Sequence, residues 1–102
     1  MTFEWDADKN RANIRKHGLD FSDAWRVFAG PMSLNADVRE DYGEDRWVGI
    51  GRLGDVTVVI AFAERGHHTY RIISMRKARR HERLAHEEEI AHRLGSTPRD
   101  EG

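Results

Sequence analysis

Cysteine is absent from the 102-residue sequence, so disulfide bonds and thiolate chemistry are excluded. Long hydrophobic runs are absent too, because the longest, residues 58–63, is far too short to cross a bilayer. The opening residues, MTFEWDADKN, lack the basic start and the apolar run of a signal peptide. We therefore expect a cytoplasmic protein, and the lack of cysteine suits a reducing compartment.

An excess of one charge is also lacking, because 17 Lys and Arg residues face 18 Asp and Glu residues. The two signs are nevertheless segregated along the chain. Residues 65–83 contain seven basic side chains and a single acid, Glu82, whereas residues 37–45 contain five acids and a single base, Arg39. The basic segment predicts a face that binds phosphate groups. A merely solvated charged surface is the alternative interpretation.

The first third of the chain predicts a short strand and two helices. A strand at residues 3–5 leads into a helix that Asp6 caps at its N-terminus and Gly18 ends. A second helix is predicted to begin with Ser22 as its N-cap and to end at Gly30.

The remainder predicts a small antiparallel sheet and one long helix. A strand begins near residues 32–34, and three apolar segments with short connections form a meander at residues 46–53, 56–63 and 69–75. A helix follows at residues 76–94. The fold class is therefore α+β, with about four strands, two N-terminal helices and one C-terminal helix. We expect one domain at residues 1–95 and a flexible tail at residues 96–102.

The end of the first helix carries one candidate site. Asn13 and His17 are four residues apart and share a helix face, and Lys16 lies beside His17. The helix dipole attracts a cation there, so His17 is able to act as an acid or to bind phosphate. The alternative is structural, with His17 capping the helix and Asn13 bonding locally.

The basic run at residues 71–80 carries the second candidate site. If a helix begins at Arg76, then Arg76, Arg80 and Arg83 share one side of it. The backbone N–H groups near Arg76 and Lys77 would then add to phosphate binding. Basic residues at a helix start oppose the dipole, and such a local violation often marks a functional site.

Metal and cofactor sites are not expected. His81, His86 and His92 are spaced five and six residues apart, so they diverge around a helix instead of sharing a face. The sequence has no Gly-rich phosphate loop between a strand and a helix, and no serine in a Gly-x-Ser-x-Gly setting.

Three motifs in this order resemble the BrnT family of ribonuclease toxins, over residues 3–86. The opening motif is Phe3-Glu4-Trp5-Asp6 with Lys9, Asn13, Lys16-His17-Gly18 and Phe21. The central motif is Arg46 with residues 49–53. The closing motif is Arg65, then Arg71-Ile72-Ile73-Ser74-Met75-Arg76-Lys77-Ala78, and then Glu82-Arg83. Ala7 stands where the family often has Pro, and His86 stands where it usually has Tyr.

The resemblance implies a RelE-like fold and a toxin that cuts RNA, inhibits translation and arrests growth. It also implies a BrnA-like antitoxin as partner, in a heterotetramer of two toxins and two antitoxins. Operator DNA would then be bound only through the antitoxin. His86 would take the proton-transferring role of the family's Tyr, and imidazole titrates nearer neutrality than phenol. Alternatively, the replacement weakens or inactivates the enzyme.

RNA is cut without metal when its 2′-OH attacks the adjacent phosphate while protein groups hold that phosphate and move two protons. The candidates for this catalysis are His17, Lys16, Arg65, Arg76 and His86. The candidates for binding RNA phosphates are Lys77, Arg80 and Arg83. Two alternatives stay open: a nucleic-acid or protein-binding module without catalysis, and an inactive toxin scaffold that still binds its antitoxin.

Overall fold

The structure of the protein is a computed structural model that describes residues 1–95; the predicted tail, residues 96–102, lies outside the described residues. The strands are β1 (Thr2–Trp5), β2 (Ser33–Ala36), β3 (Arg46–Leu53), β4 (Val56–Arg65) and β5 (Thr69–Lys77). The α-helices are α1 (Ala7–His17), α2 (Ala24–Phe28) and α3 (Arg80–Arg93), and a 3₁₀ turn, Phe21–Asp23, precedes α2.

The five strands form one sheet in the order β1-β5-β4-β3-β2. Strands β2 to β5 pair antiparallel, which confirms the predicted meander and the α+β class. The first strand pairs parallel to β5, with Phe3 opposite Tyr70. The predicted antiparallel sheet of about four strands is therefore a sheet of five, and local patterning could not reveal the direction of a strand whose partner is so distant in sequence.

One face of the sheet carries the hydrophobic core. Val58, Ile60 and Phe62 of β4 point to this face and pack with Val27 of α2. Close approach of α2 depends on Gly51 of β3, because a Cβ there would lie 2.7 Å from a methyl carbon of Val27. We refer to the opposite side of the sheet as the second face.

The bounds of α1 agree with the prediction. The carboxylate of Asp6 accepts a hydrogen bond from the Lys9 N–H, and Gly18 ends the helix with a φ of 70°. The second cap was predicted wrongly. Asp20, not Ser22, caps the 3₁₀ turn, where its carboxylate accepts a hydrogen bond from the Ser22 N–H. The turn starts earlier than predicted because Phe21 is buried in the core.

The start of α3 is also corrected. Arg76 and Lys77 belong to β5, where they lie opposite Val59 and Val58, and the helix begins only at Arg80. The prediction that Arg76 shares a helix side with Arg80 and Arg83 is therefore wrong. The N-terminus of α3 is not at Arg76 either, since pairing with β4 holds the backbone extended for two residues more than the pattern indicated.

A β-bulge in β5 changes which side chains share a face. Ile72 lies opposite Phe62 while Ser74 lies opposite Ala61, so Ile73 is an extra residue in the ladder. Strict alternation would place Ile72 and Ser74 on one side. The bulge instead moves Ser74 to the second face.

Candidate nucleic-acid interface and active site

A shallow groove runs between α1 and β5, and three clefts make it up. The first cleft joins the second through Lys9 and Ile73, which line both. The second joins the third, of about 310 Å³, through Lys16 and His17. We call this surface the α1–β5 groove. Its basic and histidine residues are Lys9, Lys16, His17, Arg46, Arg71, Arg76, Lys77 and Arg79.

The position of α1 against β5 is set by a buried side chain, Asn13. Its carboxamide oxygen accepts a hydrogen bond from the Met75 N–H at 3.1 Å, and its NH₂ donates to the Met75 and Leu19 carbonyls at 2.9 and 3.0 Å. These bonds satisfy the edge of β5 beyond the end of β1. Asn13 therefore links α1 to β5 through Met75, which is distant in sequence. The predicted local hydrogen bonding accounts only for its bond to the Leu19 carbonyl.

Anchoring Asn13 inward directs the neighbouring turns of α1 along the groove. Lys9 and Lys16 flank Asn13 on that helix face, at positions i−4 and i+3. His17, the last residue of α1, is half-buried at the junction of the second and third clefts. The sequence thus places two lysines and a histidine over β5 because one buried amide fixes the rotation of the helix.

The groove contains basic side chains that lack an acidic partner. Six basic side chains within residues 1–95 make no ion pair: Lys9, Arg15, Lys16, Arg71, Lys77 and Arg80. Four of the six line the groove, and only Arg15 and Arg80 lie outside it. A chain of near-zero net charge therefore concentrates uncompensated positive charge on one surface, which attracts polyanions.

Arg76 is held in the third cleft by an acid that sequence reasoning did not select. Its guanidinium donates two hydrogen bonds to Glu82, both of 2.8 Å, and Glu82 also accepts the Arg79 N–H at 2.7 Å. The Arg76 guanidinium lowers the pKa of Glu82 to about 2, and the carboxylate raises the pKa of Arg76. The signal available in the sequence was that Glu82 is the lone acid of the basic segment.

The structure brings four of the predicted site residues together. Lys16, His17, Arg76 and Lys77 line the third cleft, and Arg79, which sequence reasoning did not choose as a site residue, completes it. The lysines come from α1 and β5, and the arginines from β5 and the turn before α3. The cleft is therefore a cluster of cations around a half-buried imidazole, which is able to hold a phosphate and to move a proton.

Three predicted phosphate ligands lie outside this cleft. Arg65 ends β4, and its nearest carboxylate is Glu44 at 3.7 Å. Arg76 lies opposite Val59, six residues from Arg65, so roughly 20 Å of strand separates the two arginines. On α3, Arg83 is paired with Glu87 at 3.4 Å, and Arg80 is exposed at the first turn.

His86 is also outside the groove. It is 4% exposed on the inner side of α3, and its Nδ1 lies 2.6 Å from the Ser33 hydroxyl oxygen. Desolvation in this position lowers the pKa of His86. Its other surroundings are an apolar cleft that includes Pro31 and Ile90. The imidazole therefore packs α3 onto β2 and does not face His17.

Two further features of the described residues concern metal ligands and membrane-spanning helices. Within residues 1–95, no three or more His, Asp or Glu side chains are grouped so that they could hold a metal ion. No helix of the described chain is both long enough and apolar enough to cross a bilayer.

Comparison with known proteins identifies the family. The family model described as "Ribonuclease toxin, BrnT, of type II toxin-antitoxin system" matches residues 5–82, which is most of the chain. The chain belongs to the BrnT family. The match includes all residues of the α1–β5 groove that carry positive charge, and it ends before Arg83 and His86.

A solved BrnT structure agrees with this assignment. The crystal structure of the Brucella abortus ribonuclease toxin BrnT is similar to this chain, with a TM-score of 0.61 and 33% sequence identity. The similarity covers 78% of this chain and 99% of the Brucella chain. A search of curated protein sequences gives no match. The BrnT fold and toxin family are thus supported by sequence and by structure.

Proposed function

We propose that this BrnT-family protein is a metal-independent endoribonuclease that binds RNA along the α1–β5 groove and cuts it in the third cleft. The observation that carries the proposal is the concentration of unpaired cations in the groove, on both sides of His17. RNA binding depends on such phosphate contacts. A half-buried histidine among them adds an imidazole, which is able to transfer protons.

In the proposed mechanism the scissile phosphate lies between Lys16, Arg76 and Lys77. Their positive charge stabilises the extra negative charge that develops when the 2′-OH attacks the phosphorus. Glu82 fixes the direction of the Arg76 guanidinium, so that group needs no reorganisation during the reaction. As the bond from the 2′-oxygen to phosphorus forms, the bond from phosphorus to the 5′-oxygen breaks, which leaves a 2′,3′-cyclic phosphate and a 5′-hydroxyl. One proton is taken from the 2′-OH and one is given to the departing 5′-oxygen; His17 transfers one of the two, and Lys16 is the candidate for the second.

Four residues that were predicted from the sequence to act at the site lie outside the third cleft. They are His86, Arg65, Arg80 and Arg83. His86 is 4% exposed and packs against Ser33, so RNA does not reach its side chain without movement of α3. This favours the alternative in which having His86 at the position of the family's Tyr weakens catalysis. An unchanged acidic limb of the pH–rate profile in His86→Ala would remove it from the mechanism. Arg65, Arg80 and Arg83 are assigned to contacts with flanking RNA.

The partner of the proposed toxin is an antitoxin. A BrnA-like antitoxin, in a heterotetramer of two copies of each protein, would neutralise growth inhibition in the cytoplasm. Acidic side chains of the antitoxin would compete with RNA for the unpaired cations of the groove. Operator DNA would be contacted by the antitoxin alone.

The test of the proposal is incubation of the purified, antitoxin-free chain with bulk RNA in EDTA. Wild type is expected to cut the RNA, and Arg76→Ala is expected to lose most of the rate. Arg26→Ala is the matched control, because Arg26 lies on α2, outside the groove, and its loss breaks an exposed ion pair with Asp23. Intact RNA with folded wild-type protein would instead indicate a binding module or an inactive toxin. Equal rates for wild type and Arg76→Ala would remove Arg76 from the site.

A further inference from the structure

We infer that Lys9 and Arg71, at the far end of the α1–β5 groove, form a second phosphate-binding subsite. It holds a flanking phosphate of single-stranded RNA while the third cleft holds the scissile phosphate. This subsite rests on the proposed function and specifies its substrate class. Arg71 begins the basic run at residues 71–80, but neither it nor Lys9 was among the individual residues predicted to bind or cut RNA.

The state of the Arg71 side chain is the first support. Arg71 is half-buried on the second face beside Ala63, which is fully buried. Yet its guanidinium makes no hydrogen bond or ion pair with any residue of the described chain. It acts on the Asp6 carboxylate only at longer range, as a minor cause of the lowered pKa of Asp6. Partly buried guanidinium groups usually meet acceptors, and a phosphate offers them in bidentate geometry.

The neighbouring charges leave this end of the groove able to accept an anion. The Lys9 ammonium makes no ion pair within the described chain, and it acts only at longer range on the Asp6 carboxylate, which caps α1 by accepting the Lys9 backbone N–H. Arg46 is held by Glu44 at 3.0 Å and lies over the Tyr42 ring at 4.0 Å. The lining of this end of the groove therefore holds three cations, Lys9, Arg46 and Arg71, against two carboxylates, Asp6 and Glu44.

The bulge in β5 relates this subsite to the third cleft. In a regular strand, residues five apart point to opposite faces, so Arg71 and Arg76 would be separated by the sheet. The extra residue at Ile73 puts both arginines on the second face, opposite Ala63 and Val59 of β4. The two phosphate sites then lie roughly 15 Å apart along the strand. That spacing exceeds one nucleotide, so the subsite reads a phosphate away from the cut.

The floor between the two sites indicates the form of the RNA. The second cleft is bordered by Lys9 at one end and by Lys16 and His17 at the other, and its remaining lining residues, Ala12, Asn13, Ile73 and Ser74, carry no charge. Apolar and hydroxyl groups suit a sugar or an unstacked base, whereas a duplex keeps its bases paired and stacked. The alternation of charged end, neutral middle and charged end therefore fits a single strand.

The test is a thermodynamic cycle on an RNA that cannot be cut. An oligoribonucleotide with 2′-O-methyl groups throughout, which cannot be cut at any position, is made with one uncharged methylphosphonate, placed in turn at each position. Its Kd for wild type, Arg71→Gln and Lys9→Gln is measured by fluorescence anisotropy. We expect each variant to bind the unmodified RNA roughly tenfold more weakly. We also expect its salt slope to fall by about 0.7.

One flanking methylphosphonate should weaken binding to wild type and have no further effect on Arg71→Gln. Arg15→Gln is the matched control, because Arg15 is an unpaired cation of the same helix that does not line the groove. It should bind as wild type does. Arg71→Lys should restore part of the affinity, which separates lost charge from a folding defect.

Three results would overturn the subsite. The first is equal affinity of Arg71→Gln and Arg15→Gln, and the second is the same methylphosphonate penalty in wild type and Arg71→Gln. Loss of antitoxin binding in Arg71→Gln with unchanged RNA affinity would also overturn it, since the cation would then serve the protein partner. Cleavage of RNA with unmodified ribose is measured separately. A methylphosphonate penalty that disappears in Arg71→Gln, without cleavage by wild type, supports the subsite and contradicts the nuclease. Cleavage by wild type, with the same penalty in both proteins, supports the nuclease and contradicts the subsite.

Discussion

Glu82 shows how a single side chain both stabilises the fold and prepares a site. It joins β5 to α3 through Arg76 and the Arg79 backbone, in a position where its side chain is 17% exposed. Without this carboxylate the Arg76 guanidinium would be half-buried and able to rotate. The Glu82 carboxylate also offsets part of the positive charge of Arg76. Lys16 and Lys77 supply further positive charge beside it.

The Glu82 pair predicts a particular dependence of stability on pH. The folded-state pKa of Glu82, about 2, lies below the ordinary value of 4.5, so its contribution is complete above pH 4.5 and is lost as the pH falls towards 2. That contribution is at most ~3 kcal/mol. Urea unfolding of Glu82→Gln should therefore show a deficit at pH 7 that shrinks at pH 3.

The matched control for Glu82→Gln is Glu87→Gln. Glu87 is an α3 carboxylate in an exposed ion pair with Arg83, and such pairs contribute ~0.2–1 kcal/mol. A deficit for Glu82→Gln that does not change between the two pH values would contradict the assigned pair.

At the scale of elements, two local irregularities build the groove. The bulge at Ile73 selects the face on which Arg71 and Arg76 emerge, and the Asn13 amide fixes α1 against the unpaired part of β5. Neither feature belongs to the hydrophobic core. Both act on the backbone of β5, and both lie beyond Ile72, where β1 no longer covers its edge.

Replacement of Asn13 by Ala should destabilise the protein strongly. It leaves the buried Met75 N–H and the Met75 and Leu19 carbonyls without their partners, at about 2–4 kcal/mol in total. Chemical denaturation measures the loss, and Asn35→Ala, at an exposed position of β2, should stay within ~0.5 kcal/mol of wild type. Similar stability of the two variants would mean that Asn13 does not anchor α1.

At the scale of the molecule, cations that are paired with acids lie mostly outside the groove, and cations without a pair lie mostly within it. In the acidic segment at residues 37–45, Asp37 holds Arg39 and Glu44 contacts Arg46 and Arg65, while its other three acids make no ion pair within the described chain. Acids of α3 hold Arg83 and Arg93. Four of the six described cations without an ion pair lie in the groove, so a net charge of −1 conceals a cationic surface.

Local signals in the sequence were enough for the elements. The β-branched run of β4 and the Asp6 and Gly18 caps each act within a few residues, so the meander and α1 were predicted correctly. The start of α3 was missed because Arg76 and Lys77 carry no local strand signal. Their extended conformation comes from pairing with Val58 and Val59, a tertiary effect.

The candidate site was predictable only in part. Lys16 and His17 on one side, and Arg76 and Lys77 on the other, were selected for their own chemistry, and the fold brings them to one cleft. Arg71 and Glu82 were missed as site residues because their importance lies in having or lacking a partner. That property depends on the bulge and on the docking of α3, which no spacing rule contains.

The most direct measurement is the single-turnover rate of RNA cleavage in EDTA for wild type, His17→Ala and His92→Ala. His92 is an exposed histidine on α3, outside the groove, and it controls for the loss of an imidazole. If the α1–β5 groove is the active site, His17→Ala should be slower by ~10²–10⁴ while His92→Ala cuts as wild type does. Equal cleavage by His17→Ala and wild type, or intact RNA with every folded variant, would contradict the assignment of cleavage to this groove.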